Sequence, residues 1–500
     1  MGLVAPVEPV PLGELGRVHF AAIGGAGMSG IARIMLARGV EVSGCDSAGS
    51  AQLDELAALG AQVCVGHSPS HLESADTLVH STAIRQDNPE LVAARRRGMR
   101  VLHRAAALAS VMLGRRSVAV AGTHGKTTTT SMITTVLRRC GADPGYVIGG
   151  ILADTGLGAA DGNGELFVVE ADESDGSFLM LSPDAAVITS VEADHLDNYG
   201  NLAEIEAAFE AFAQRTAPGG LLVTSADDAG AVKAAAAVRE RAGKPARRMV
   251  TYGESADADY RVSAVTPAGM ATEFDLIAQS ALEPASSRLR VRIEVPGRHN
   301  ALNAAAAYAI ASELGFASGD IAVGLAAYRG ARRRMEPKGE VDAVRVLDSY
   351  AHHPTELAAD LSAARDIAMG GRVIVIFQPH LFSRTRFFAS QFGAALGMAD
   401  EVFVLDVYAA REDPEPGVTG AMVADAVPGG RAVFWVPTDD DPTDLASAIA
   451  DIAKPGDVVL TMGAGDVTRL GPMIVGALRA RDAGQAYRRA TGPEQQAGEG

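Results

Sequence analysis

Val118-Ala119-Val120-Ala121-Gly122-Thr123-His124-Gly125-Lys126-Thr127-Thr128-Thr129-Thr130 is an apolar run that breaks into small residues, then a lysine, then a row of hydroxyls. A strand, a tight loop and a helix start in that order make a phosphate-binding loop. Small residues let successive backbone N–H groups converge on phosphate oxygens, and the helix end adds positive potential. Lys126 supplies a point charge, and Thr127 or Thr128 offers a hydroxyl to Mg²⁺. The stretch therefore predicts an ATP site built from Gly122, Thr123, His124, Gly125, Lys126, Thr127 and Thr128. In Gly-x-x-x-x-Gly-Lys-Thr the first glycine would stand at Val120, whereas here it is Gly122. That spacing points away from motors and small GTPases. The competing reading is a glycine-rich turn with a surface lysine. Against it, Lys126, Lys233, Lys244, Lys338 and Lys454 are the only lysines among 44 Lys plus Arg, so a chain that otherwise uses arginine places an ammonium here.

At 500 residues the chain has room for about three domains of ~150 residues. Its net charge of −17 argues against a nucleic-acid partner, because phosphate-backbone binders carry a basic field. Cys45, Cys64 and Cys140 show no metal-ligand spacing and read as reduced cytoplasmic thiols. No basic segment opens the chain and no apolar stretch is long enough to cross a bilayer, so neither export nor a membrane partner is expected.

The phosphate loop divides an α/β chain into three parts. Residues 1–113 open with the strand pattern Val18 to Ile23, a glycine loop and a helical stretch. Residues 114–330 carry the phosphate loop, strands at Leu166 to Glu170, Ala185 to Thr189 and Leu221 to Thr224, and a helix from Leu202 to Gln214. Alternating runs from Tyr260 to Val295 add antiparallel strands to this central domain, and helices follow at about Ala301 to Leu314 and Ile321 to Tyr328. Residues 331–500 resume the alternation of strand and helix as a third, doubly wound domain. The Pro-rich first dozen residues and the polar stretch from about Ala483 are expected to be mobile.

Several constellations accompany the phosphate loop. Gly25-Ala26-Gly27-Met28-Ser29-Gly30 fits Gly-x-Gly-x-x-Gly after a strand, with Asp46 closing the next strand. This Rossmann-like fingerprint recognises a diphosphate beside a ribose, which a UDP-sugar supplies as well as NAD does. A tight turn with Asp46 as a helix cap is the competing reading. Glu170 ends an apolar strand where a nucleotide fold presents its Mg²⁺ ligand, and the loop continues through Asp172 and Asp175. His195, among Glu192, Asp194 and Asp197, fits a second Mg²⁺; solvated loop charge is the alternative for both acidic clusters. Asn300 and Asn303 lie near one helical turn and suit an adenine, or a helix cap. Arg334, in Arg332-Arg333-Arg334, is either a cation for the phosphates or part of a basic linker. Asp348 and His352 stand at the carboxyl end of a strand, the ligand edge of an open sheet. His380, Arg384 and Arg386 gather donors suited to a carboxylate.

Taken together, Gly24 to Ala32, Gly122 to Thr128, Glu170 to Asp175, Glu192 to His195, Tyr350-Ala351-His352-His353-Pro354-Thr355-Glu356 and Gln378-Pro379-His380 resemble the Mur ligases over about Val18 to Arg479. The resemblance implies a UDP-sugar domain, a P-loop-type ATPase and a C-terminal domain that closes with an amino acid. It implies UDP-N-acetylmuramate and L-alanine as substrates, ATP and Mg²⁺ as cofactors, and a monomer or homodimer. Lys126, Glu170, His195, Arg334 and Asp348 would then be catalytic, with Mg²⁺ on Thr127, Glu170 and His195. Gly25, Gly27, Gly30, Asp46, Ser81, His352, His380, Arg384 and Arg386 would hold the UDP-sugar and amino acid. Departures are Asp348-Ser349-Tyr350 for Asp-Asp-Tyr, Arg333-Arg334-Met335 for Arg-Arg-Phe, and Pro379-His380-Leu381-Phe382-Ser383 for Pro-His-Arg-Tyr-Ser. Absence of lysine between Lys126 and Lys233 excludes a carbamoylated lysine after the histidine.

Competing functions are a murein-tripeptide ligase, an NAD-dependent dehydrogenase and a non-catalytic nucleotide-gated module. The first glycine loop separates two of these in a thermal-unfolding measurement, because only a bound ligand shifts the midpoint. UDP-N-acetylmuramate is expected to raise it and NAD or NADP to leave it unchanged; the reverse pattern would favour the dehydrogenase.

Overall fold

The computed structural model describes residues 3–240, 247–279, 287–410, 412–436 and 443–491, which gather into two compact units. The first takes in the described residues of Met1–Thr266, Glu273–Glu294 and His299–Ala331. The second takes in those of Pro267–Thr272, Val295–Arg298 and Arg332–Gly500. Among the described residues no helix is long and apolar enough to cross a membrane.

In the first unit, one sheet has five parallel strands in the order Gln62–Val65, Val42–Asp46, Val18–Ala21, Thr77–His80, Arg100–His103. Its order reverses direction at Val18–Ala21, so the loop leaving that strand opens a crevice at the carboxyl edge. That loop is Gly24-Gly25, and Gly25 caps the helix Ala26–Ala37.

A second sheet of the same unit has ten strands. Gly145–Val147, Leu166–Glu170, Arg116–Ala121, Ala185–Ile188, Leu221–Ser225 and Arg248–Gly253 run parallel in that spatial order. Tyr260–Ala268, Ala271–Ala278 and Ser287–Ile293 extend one side, and Ala159–Ala160 pairs antiparallel at the other end. Gly269 (φ +67°) and Met270 link two neighbouring strands in a turn too short for a parallel crossover, so these strands are antiparallel. The helices over Arg298–Glu313 and Ser318–Ala327 agree with expectation to within a few residues.

The second unit holds a six-stranded sheet in the order Glu336–Val341, Val344–Ser349, Val458–Met462, Val373–Phe377, Glu401–Val404, Ala432–Phe434; only the first pair is antiparallel. Strand alternation explains its double winding. Val373, Val375 and Phe377 face Leu361, Phe392 and Val423, whereas Ile374 and Ile376 face Leu445, Ile449 and Ile474. The expected mobile tail is corrected in part: the last helix continues through Leu470–Thr491, and residues 492–500 lie outside the described ones.

Within the first unit the two sheets share a core that runs from Phe20 and Met35 through Val147 and Ala159 to Phe167 and Phe209. A Cβ on Gly30 would lie 2.9 Å from Ala159 Cβ, so the helix after the first glycine loop packs directly on the second sheet's end. Charged groups rim this seam. Arg104 donates to Asp172 (2.5 Å), Arg38 to Asp161 (2.6 Å), and Thr82 Oγ1 to Asp175 (3.1 Å). The Pro-rich start is also tied down, contrary to its expected mobility. Val4 N–H donates to the Asp175 carbonyl (2.9 Å), Val10 N–H to Ser110 Oγ (3.1 Å), and Val4, Val10 and Leu12 pack on the shared core.

His103 sits in this seam as the N-cap of the helix Arg104–Met112. Its Nδ1 accepts the Ala105 N–H (3.3 Å) and its Nε2 lies 3.6 Å from Asp175 Oδ2. Protonating Nδ1 would forfeit the cap. Burial pushes this imidazole down to about 4, against the pull of Asp175 and with the Arg104 charge assisting. A free histidine titrates near 6.5, so between those values the unfolded chain binds a proton that the folded one does not. Stability should therefore fall as pH drops from about 6.5 to about 4. His103→Asn keeps an N-cap acceptor and removes the titration. Its melting temperature is expected to fall less than wild type between pH 7 and pH 5 in calorimetry.

Candidate functional site

The phosphate loop follows Arg116–Ala121 and enters the helix Lys126–Arg139. Gly122 has φ +145° and a Cβ there would overlap the Thr189 hydroxyl, which bonds the His124 carbonyl (2.5 Å). Gly125 has φ +77°, and a Cβ would meet Asn303 Oδ1 at 2.6 Å. Both positions require glycine, for backbone conformation and for space. The neighbouring strand end fixes the loop: Thr123 N–H donates to the Ser190 carbonyl (2.9 Å) and His124 N–H to Ser190 Oγ (3.1 Å). Asn303 accepts from Thr129 Oγ1 (3.1 Å) and donates to Asn300 Oδ1 (3.2 Å). Asn300 and Asn303 lie inside a helix rather than capping one, and Asn303 braces the loop from behind.

Lys126 reaches back into its own loop. Its Nζ donates to the carbonyls of Gly122 (2.6 Å) and Thr123 (3.2 Å) and to Glu173 Oε1 (2.8 Å). Burial works to lower the Lys126 pKa, but Glu173 and Glu170 outweigh it and hold the ammonium above its ordinary value. Burial alone would raise Asp172; Arg104 and the Ser174 bonds hold it well below the carboxylate range. Thr127 Oγ1 donates to Glu170 Oε1 (3.0 Å), while Gly149 N–H donates to Oε2 (2.7 Å). A hydroxyl and a carboxylate held together beside a phosphate loop are a hard-oxygen donor pair, which suits Mg²⁺. His195 adopts φ +51°, an uncommon left-handed conformation. Its Nε2 lies 3.5 Å from Asp194 and 4.0 Å from Glu173, and its Nδ1 is buried without a hydrogen-bond partner. That orphaned nitrogen also fits a cation ligand.

The structure thus brings Lys126, Thr127, Glu170 and His195 together with Gly122 to Thr128. It also brings in Glu173, which the sequence reading passed over for Glu170; the pattern of an apolar strand ending in an acid favours only the first carboxylate. Asp172 and Asp175 bind the seam through Arg104, Thr82 and Val4. Arg104 gave no signal, being one arginine ahead of an Ala-rich helix. It lies 3.3 Å from where a Gly27 Cβ would stand, and so connects the first glycine loop to the acidic segment.

Around that first loop, Asp46 accepts from Gly24 N–H (3.0 Å) and Ser47 N–H (2.7 Å). It holds the loop's shape, and Ser50 rather than Asp46 caps the next helix. Ser81 follows the strand Thr77–His80 beside Val18–Ala21, at the same carboxyl edge as Gly25 and Gly27.

In the second unit, Asp348 is fully buried and accepts from Thr461 and Thr468 (2.7 Å each), with Arg333 Nε at 3.5 Å and Lys338 Nζ at 3.6 Å. It therefore serves Arg333, which also lies over the Tyr350 ring at 4.9 Å. Arg334 lies over the same ring at 5.3 Å. His352 contacts Tyr350 and His380, with ring centroids 5.2 Å and 6.1 Å away. His380 stacks on Tyr408 (5.9 Å) and comes within 3.4 Å of Arg384 Nη1. Arg384 is 6 % exposed, whereas Arg386 is exposed and paired with Glu415 (3.1 Å). The two arginines lie two positions apart on one helix and meet different surroundings.

Three family models cover this chain: "Mur ligase family, catalytic domain" over residues 17–116, "Mur ligase middle domain" over 120–311, and "Mur ligase, glutamate ligase domain" over 333–465. A UDP-N-acetylmuramate--L-alanine ligase of Thermobifida fusca is 56 % identical over 96 % of this chain and all of its own length. One from a Nocardioides species is 55 % identical over the same shares. A solved UDP-N-acetylmuramate-alanine ligase of Thermotoga maritima superposes with a TM-score of 0.76 at 29 % identity, covering 93 % of this chain and 99 % of that one.

Lys126 and Glu173 form a buried pair, so Lys126→Ala leaves a buried carboxylate with only the more distant His195 (4.0 Å) facing it. The cost should be about 3–5 kcal/mol, measured by denaturant unfolding. Adding Glu173→Gln is expected to recover most of that stability but not nucleotide affinity, read by ADP calorimetry. Recovery of both would sink the assignment of Lys126 to phosphate.

Proposed function

The chain belongs to the Mur ligase family, and on that premise we propose that it joins L-alanine to the lactoyl carboxylate of UDP-N-acetylmuramate at the expense of ATP. The observation that carries this reading is the phosphate loop with Lys126 charged at its centre and the Thr127–Glu170 pair beside it. Identity of 50–56 % to UDP-N-acetylmuramate--L-alanine ligases along nearly the whole chain supports the choice of substrates. Residues 1–113 hold the UDP-sugar, 114–330 the ATP, and 331–500 the amino acid.

The reaction has two steps. A lactoyl carboxylate oxygen bonds to the γ-phosphorus of ATP as the bond to the ADP oxygen breaks, giving an acyl phosphate and ADP. The neutral amine of L-alanine then bonds to the acyl carbon, phosphate leaves, and the amine proton passes to solvent. Lys126 and the loop amides stabilise charge on the transferring phosphoryl group. Thr127 and Glu170, and at a second position His195, would hold Mg²⁺, which would supply positive charge against the phosphate and carboxylate that otherwise repel. Binding ATP must draw Lys126 away from Glu173, whose charge His195 faces. Gly25 and Gly27 present backbone to the diphosphate, with Gly30 setting the helix against the second sheet.

For the amino acid, burial and position single out Arg384, beside His380, as the cation for the L-alanine carboxylate. Arg386 is engaged by Glu415 and takes no part. Asp348 positions Arg333 and Lys338 rather than meeting substrate, a revision of the catalytic role expected from sequence. Arg384→Ala should raise the KM for L-alanine at least tenfold with the ATP KM little changed, and Arg386→Ala should change neither. Phosphate release would be followed with UDP-N-acetylmuramate and each candidate amine. L-alanine is expected to be the preferred acceptor, and a preference for L-Ala-γ-D-Glu-diaminopimelate would replace this reading with the tripeptide ligase.

A further inference from the structure

Beneath the first glycine loop, four side chains converge on one buried carboxylate. Glu90, fully buried in the first turn of Pro89–Arg96, faces Cys45 Sγ (2.9 Å to Oε2), His67 Nδ1 (3.1 Å to Oε2), His71 Nδ1 (2.8 Å to Oε1) and His19 Nε2 (3.6 Å to Oε1). One donor atom each from His19, Cys45, His71 and Glu90 lies within 4.8 Å of all the others. Tetrahedral zinc with bonds of 2.0–2.3 Å would place its ligand atoms about 3.3–3.8 Å apart, a small adjustment from these separations. His67 Nδ1, 3.0 Å from Cys45 Sγ, stands as an adjoining donor.

His19 aims a second buried nitrogen into the same cluster. It is 1 % exposed, and its Nε2 is buried with no hydrogen-bond partner. Its Nδ1 lies 2.9 Å from Ser43 Oγ. When Nδ1 donates to that hydroxyl, Nε2 turns a lone pair towards a carboxylate oxygen, an arrangement that is repulsive until a cation comes between them. Ser43 is then the outer partner that fixes the ring, as metal-ligating histidines commonly have.

We infer that His19, Cys45, His71 and Glu90 form a structural site for a borderline transition-metal cation, Zn²⁺ by preference. Imidazole and thiolate donors select against Mg²⁺ and Ca²⁺, which take oxygen, and a closed four-ligand set suits a structural ion. The site is separate from Thr127, Glu170 and His195. It ties the first two strands of the first sheet to the segment after the third and to the helix Pro89–Arg96. Cys45 also adjoins Asp46, which shapes the glycine loop, so the ion would stiffen the floor under the UDP-sugar.

The test uses the full chain, stripped with chelator and titrated with Zn²⁺ or Co²⁺ while saturating Mg²⁺ and ADP occupy the nucleotide site. One equivalent of Zn²⁺ should bind and raise the melting temperature. Co²⁺ should give a tetrahedral spectrum with a thiolate charge-transfer band. Cys45→Ser should abolish that band and weaken Zn²⁺ at least tenfold. Ser43→Ala, which leaves all four ligands in place, should weaken Zn²⁺ about tenfold, and so covers the case in which Cys45→Ser fails to fold. No bound equivalent, or binding without the thiolate band, would overturn the proposal and leave the cluster as a hydrogen-bonded polar core.

Discussion

Burying negative charge is the constraint on which the first unit depends. Glu170, Asp172, Glu173 and Asp175 lie within six residues, and Glu173 and Asp175 are almost wholly out of solvent. Desolvated carboxylates persist only with cations and donors around them. Lys126 answers Glu173, Arg104 answers Asp172, and backbone and hydroxyl donors answer Glu170 and Asp175. The partners come from several elements, so the acidic segment fastens the phosphate loop, the first sheet and the amino-terminal residues to one place. The same excess of negative charge makes this a location where a divalent cation is welcome.

The fold was legible where hydrophobic period and turn chemistry agreed. Val373–Phe377 is an unbroken apolar run, Arg116–Ala121 and Leu166–Glu170 are apolar from Val118 to Ala121 and from Leu166 to Val169, and Val18–Ala21 is apolar but for His19, as parallel strands covered on both faces largely are. Short pieces were lost. Gly145–Val147 and Ala159–Ala160 are too brief to carry a period, and Glu336–Val341 contains proline and glycine, as an edge strand tolerates.

The site divides the same way. Gly122, Gly125, Lys126 and Thr127 could be read because a phosphate loop is local in sequence. Glu173, Arg104, Thr189 and Arg333 could not, since each acts through a partner far along the chain. Asp348 shows the same limit: its place at a strand's carboxyl end is legible, whereas the bonds from Thr461 and Thr468 in the neighbouring strand and turn are not.

The hydrogen bond from Val4 to Asp175 reaches beyond stability. It anchors the chain's third and fourth residues beside the acidic segment, with Leu3 against Gly176. Leu3 and Val4 thus lie a few residues from groups that hold the phosphate loop. These two positions are consequently poor handles for tethering or labelling this molecule. A fluorophore or affinity sequence placed there would share space with the seam it was meant to observe.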